Sequence, residues 1–139
     1  MRTLILSEAK CKRCGAIFGH ADLGSSAYGE VVLSTNDGQQ FLVASAWSAF
    51  AQRVSAEMPQ DSPKSLWQVL AALAEPVNGK PLVHAIVCPR CGSTELDYWG
   101  GSKVGSVVCA DASFLQSESL SQALLAERVV GLLGCHREA

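Results

Sequence analysis

Short β-prone runs occupy the first third of the chain, and apolar residues at helical spacing follow them. RTLILSEA at residues 2–9 predicts a strand running into Cys11, and the AIF run at 16–18 predicts its return. GHADLGSSAYG, from Gly19 to Gly29, is rich in Gly and Ser and predicts a loop. Two β-prone runs near 30–35 and 40–44 flank Asn36-Asp37-Gly38, a hairpin signal because such turns need positive φ. Ser45 then offers a helix cap, and Trp47, Phe50, Val54 and Met58 fall on one helical face. PQDSP ends that helix, while Ser62-Pro63 predicts a capped start for a second one carrying Leu66, Val69, Leu70 and Leu73. Beyond the turn VNGKP, the run LVHAIV from Leu82 to Val87 predicts a strand feeding Cys88. TELDYW predicts another strand, broken at Gly100-Gly101 and resumed by VGSVVC. Ser119 and Gln122 have capping-box spacing before a last helix carrying Leu125, Val129, Leu132 and Leu133, with Gly134 as its stop.

This order predicts an α+β fold in a single domain, 1–139. It places an inserted β-hairpin and helical hairpin near 30–77 and a C-terminal helix near 119–134. Composition adds one pressure to that picture. The chain is 48% hydrophobic but only 6% aromatic, so its core must be built largely from Ala, Val and Leu. A metal cross-link would help such a core. No secretory apolar region with a cleavage pattern precedes the first strand, and no run approaches the roughly 20 apolar residues of a membrane helix. The expectation is a soluble, cytoplasmic protein with no membrane partner, in which thiols stay reduced.

The candidate chemistry lies in two short phrases, Cys11-Lys-Arg-Cys14-Gly15 and Cys88-Pro-Arg-Cys91-Gly92. Two residues between cysteines let one tight turn deliver two sulfurs to one ion, and the following glycine admits the left-handed backbone that such a turn uses. The phrases resemble the paired knuckles of zinc-ribbon and rubredoxin-like proteins over residues near 5–18 and 83–99. That resemblance implies β-hairpins sharing one Zn²⁺ held by Cys11, Cys14, Cys88 and Cys91. The distance in sequence between Cys14 and Cys88 departs from an ordinary ribbon, so the residues between become an insertion, or the ribbon a clasp on a larger domain. Closing so long a loop is worth roughly 4 kcal/mol in the chain-entropy account of cross-links. Lys10, Lys12, Arg13 and Arg90 flank the phrases, where they can offset the charge of four thiolates or bind phosphate. The formal net charge is −2, and one Zn²⁺ on four thiolates moves it to about −4, against a protein that coats nucleic acid.

Other readings stand beside this one. The cysteines can form two unconnected pairs or a disulfide, and CPRC can be read as a thioredoxin-like motif if a helix follows it. Cys109 closes an apolar run and is expected to be a small buried hydrophobe. Cys135 beside His136 offers half a second metal site or a reactive thiol, although adjacent residues chelate one ion poorly. His20 and His84 are spare ligands once four thiolates complete a shell. No phosphate loop, HExxH or nucleophile elbow is present, and closed coordination gives the metal no water to activate, so a non-enzymatic role is expected. The leading expectation is a protein-binding or adaptor module, with inhibitor and immunity-type proteins within that class. A nucleic-acid-binding ribbon using the knuckle cations, Lys103, Tyr98 and Trp99 is the alternative, followed by thiol redox chemistry.

Overall fold

The computed structural model describes residues 1–24 and 28–134, so Cys135 and His136 lie outside the described residues. In chain order the elements are β1 (Arg2–Cys11), β2 (Ile17–Asp22), β3 (Glu30–Thr35), β4 (Phe41–Ser45), α1 (Ala49–Ser55), α2 (Leu66–Leu73), β5 (Leu82–Val83), β6 (Leu96–Asp111), α3 (Leu115–Glu118) and α4 (Gln122–Leu132). They form the expected α+β fold around one six-stranded sheet of order β2-β1-β6-β4-β3-β5.

The sheet has two halves. An antiparallel ribbon of β2, β1 and β6 makes one half, and the β3–β4 hairpin with short β5 makes the other. Among the described residues two parallel pairs join them in the sheet, Leu42 with Ala110 and Val43 with Asp111. Ala112 N–H extends that seam by donating to Val43 O at 2.8 Å.

Burial along β1 changes face partway along the strand. Leu4 is buried, and then Ser7, Ala9 and Cys11 are, so the alternation slips by one and each half of the strand buries a different face. Register shifts against β6 fall between Leu6 and Ser7 and between Ser7 and Ala9, where β6 carries extra residues. Gly100 and Gly101, at φ 102° and 93°, lie in this bulged stretch. They were expected to break the strand; β6 instead runs through them, because a bulge absorbs surplus residues without ending the ladder.

Three apolar clusters hold the elements together. Phe50 and Val54 of α1, Val69, Leu70 and Leu73 of α2, and Leu125 and Val129 of α4 make the helical one. The remaining face of α2 packs Ala71 and Ala74 onto Leu33, Ala44 and Leu82 of the sheet. Helix α2 is thus buried on both sides, which its apolar sequence LWQVLAAL allows. Leu4, Ala21, Val43 and Cys109 close the seam between the sheet halves, so Cys109 is the buried hydrophobe expected of it, and burial raises its thiol pKa despite the nearby Arg2.

Several expected boundaries move. All three longer helices are capped by a later serine: Ser48 rather than Ser45, Ser65 rather than Ser62, and Ser121 rather than Ser119. Ser65 succeeds because Gln68 completes a reciprocal capping box, while Ser62 spends its hydroxyl on Lys64 O at 2.7 Å. Trp47 therefore precedes α1, exposed, and its indole covers Gly29, which could not carry a Cβ beneath that ring. Gly19–Asp22, expected as loop, belongs to β2, since β1 supplies partners from Glu8 back to Ile5. In the predicted strand Leu82–Val87 only Leu82 and Val83 pair, with Thr35 and Ser34 of β3.

Candidate metal centre

Cys11 ends β1, and the residues between it and Ile17 form the tip of the β1–β2 hairpin. In that tip Gly15 N–H donates to Cys11 O at 3.0 Å and Cys11 N–H to Ala16 O at 2.9 Å. The second phrase repeats the pattern: Gly92 N–H donates to Cys88 O at 2.8 Å and Cys88 N–H to Ser93 O at 2.9 Å. Gly15 and Gly92 have φ of 77° and 78°, the left-handed backbone that closes both turns. The turns are one structure used twice. Lys12 N–H donates to Glu95 O at 3.0 Å and Cys11 pairs with Leu96, so the β1–β6 ladder carries the second turn against the first.

The β3–β4 turn buttresses the second phrase. A Cβ at Gly38 would stand 2.4 Å from Val87 O and 3.2 Å from Pro89 N, so only glycine lets this turn rest on the chain entering Cys88. Asp37 fixes the turn by accepting from Thr35 Oγ1 at 2.7 Å and Gln39 N–H at 3.1 Å and by pairing with Lys80. Lys80, followed by Thr35, holds its carboxyl well down, at about 2.

These supports bring all four sulfurs within 4.8 Å of one another. Cys11 Sγ lies 3.5 Å from Cys91 Sγ, and Cys14 Sγ lies 3.6 Å from Cys88 Sγ. Disulfide sulfurs would stand about 2.05 Å apart, so the thiols are free, whereas sulfurs bound at about 2.3 Å to one tetrahedral ion stand about 3.8 Å apart. Cys11, Cys14, Cys88 and Cys91 are thus positioned to bind a metal ion, and the reading as two unconnected pairs is set aside. Cys11 and Cys88 are buried while Cys14 and Cys91 are exposed, so the cluster has a closed inner side and an open outer one.

Electrostatics point the same way. Cys14 N–H donates to Cys11 Sγ at 3.4 Å and is the main cause that draws this thiol down to about 6, against burial and with help from Cys91. Ser93 N–H pulls Cys91 down, but burial and the thiols of Cys11, Cys14 and Cys88 outweigh it and push Cys91 up to about 11. One thiolate forms readily in this cluster, and the last needs a cation to relieve its neighbours' charge.

The remaining candidates fall as follows. Lys12, Arg13 and Arg90 are exposed around the turns with Lys10 beside them, and none of the four joins an ion pair among the described residues. Tyr98 donates to Glu8 Oε2 at 2.5 Å, and Trp99 packs edge-on to His20. His84 is exposed just after β5. His20 is on β2 and buried, away from the loop expected for it. Segment 92–95, after Cys91, is not helical, so CPRC lacks the helix that a thioredoxin-like thiol needs. Sequence reasoning missed Gly38 as a support; the positive-φ turn was visible, but its contact with Val87 comes only from the fold.

Fold and site together define an α+β protein whose three-stranded ribbon ends in a four-cysteine, ribbon-like site positioned to bind a metal ion. Compared with known protein families, with curated proteins and with solved structures, the chain matches none.

Proposed function

We propose that the four cysteines hold one structural Zn²⁺ and that the protein is a non-catalytic module that binds another protein through its ribbon. The observation that carries this reading is the convergence of four sulfurs from two matching turns. An all-sulfur tetrahedral set favours zinc among the common divalent ions, and four thiolates leave no position for water or substrate. The ion's work is then architectural. It cross-links the start of β6 to the end of β1, fixing the surface between them.

That surface suits a protein partner. Ile17 and Tyr98 are exposed beside the turns, where Lys10 pairs with both in the ladder, and Val104 is exposed further along β6. Apolar side chains rimmed by charge are the composition of a binding patch. No helix among the described residues is long and apolar enough to cross a membrane.

Elemental analysis of the purified chain tests the metal role. One zinc per chain is expected, with loss of zinc and of cooperative unfolding in Cys88→Ser; a folded, metal-free protein defeats it. For the binding role, a partner recovered from native extract should be lost with Ile17→Asp and Val104→Asp. The knuckle cations favour a second reading, nucleic-acid binding. Affinity for DNA or RNA that falls steeply with salt, and that disappears with Lys12→Ala and Arg13→Ala, would replace the protein partner.

A further inference from the structure

A cavity of about 280 Å³ lies between the end of β2, the start of β3 and the segment 84–86. Its walls are mostly apolar, with Ala21, Val31, Val32 and Ile86 among them, and they carry Trp99 and His20. We propose that this cavity binds a small, uncharged, two-ring heteroaromatic molecule that stacks against Trp99 and accepts a hydrogen bond from His20.

The buried histidine sets the polar requirement. His20 is 5% exposed and meets Phe41 and Trp99 edge-on, at ring-centroid distances of 5.0 and 5.8 Å. Its Nδ1 is sealed from solvent without a hydrogen-bond partner among the described residues. Buried polar atoms are nearly always paired, so an unpaired one calls for a reason. We take the ring proton to be on Nε2, which leaves the sealed Nδ1 an unpaired acceptor rather than an unpaired donor. The ring can therefore meet a ligand only through Nε2–H, and the ligand must bring an acceptor.

Charge and size narrow the class further. Among the described residues no Lys or Arg lines the cavity. Its one carboxylate, Asp22, already accepts from Ser7 Oγ at 2.9 Å and from Gly24 N–H at 2.8 Å. Burial draws the His20 pKa down to about 4, so the imidazole stays neutral near pH 7. An anionic ligand would find no counter-charge there, and the carboxylate a cation would need is already held by those two hydrogen bonds. Because a cavity of about 150 Å³ takes benzene, 280 Å³ accommodates two fused rings. Trp99 lines the space and is 41% exposed, and an indole offers a ligand an aromatic surface to stack on.

The test uses quinolin-2-one, a neutral fused lactam, titrated into the metal-loaded full chain while histidine and tryptophan ring signals are followed by NMR. Saturable shifts at His20 and Trp99 are expected, with about millimolar affinity for so small a probe. His20→Phe keeps the ring's bulk but removes the donor, and should weaken binding about tenfold. Ala85→Phe should fill the space and abolish binding. Anionic 2-naphthoate should bind at least about tenfold more weakly than the lactam. Absence of saturable shifts, undiminished binding by His20→Phe, or equal binding of naphthoate would each overturn the proposal. Since the last two need only His20→Phe and the unaltered protein, a poorly folded Ala85→Phe leaves the test decisive. Zinc content is measured on every sample, so a failure of the metal reading is seen separately.

Discussion

Replacing Gly38 by alanine tests how the insertion and the metal centre are joined. The position has φ of 73°, and an L-residue held there costs about 1–2 kcal/mol, reduced by the lower entropy of its unfolded chain. A second cost is steric: the new Cβ would sit 2.4 Å from Val87 O, so the peptide entering Cys88 must move. Gly79 supplies the control, because its φ is 79° yet nothing lies within 4 Å of its Cβ position. Gly79→Ala should lose about 1 kcal/mol, and Gly38→Ala about 2–4 kcal/mol, the excess being the displaced knuckle. Urea unfolding of the metal-loaded proteins measures both, and the gap should appear as a midpoint difference of about 1 M. Chelator competition should show weaker metal binding in Gly38→Ala alone. Equal losses in the two variants, or unchanged metal affinity in Gly38→Ala, would refute the claim that this turn supports the second cysteine pair.

Other expectations follow from single contacts. Arg53 donates to Gln122 Oε1 at 3.0 Å, Glu118 O at 3.1 Å and Leu120 O at 2.6 Å, tying α1 to the α3–α4 junction. Arg53→Ala should cost about 1–3 kcal/mol in urea unfolding, and a loss under half of that would show these bonds to be incidental. His20 titrates at about 4 when folded against 6.5 when free, chiefly because burial penalises its charged form. Its contribution is therefore complete above pH 6.5 and is lost as pH falls toward 4. Wild type should lose stability relative to His20→Phe between pH 7 and 5, as followed by urea unfolding, whereas parallel pH profiles would mean that His20 is not held neutral by burial.

What was legible in the sequence was local chemistry. Two residues between cysteines and a glycine after them specify a turn without outside help, and Asn36-Asp37-Gly38 specifies a hairpin in the same way. Helix faces were legible too: Phe50, Val54, Val69, Leu70, Leu125 and Val129 are all buried in the helical cluster. Helix starts were less so, because serines recur every few residues and several can cap. The choice among them is made by which register buries the apolar stripe, as Trp47 shows by remaining outside α1. Non-local pairing was invisible. Nothing in Gly19–Asp22 announces a strand until β1 lies beside it, and nothing in Gly100-Gly101 distinguishes a bulge from a break until β6 is paired along β1. For the same reason His20 read as a loop residue, although the pairing of β2 buries it.

The central claim is that one ion joins two cysteine turns remote in sequence. X-ray absorption at the zinc edge of the purified chain measures this most directly. The account predicts one zinc per chain surrounded by four sulfurs at about 2.3 Å, with no nitrogen or oxygen in the shell. A shell of two sulfurs with lighter ligands, or a folded protein carrying no metal, would contradict it.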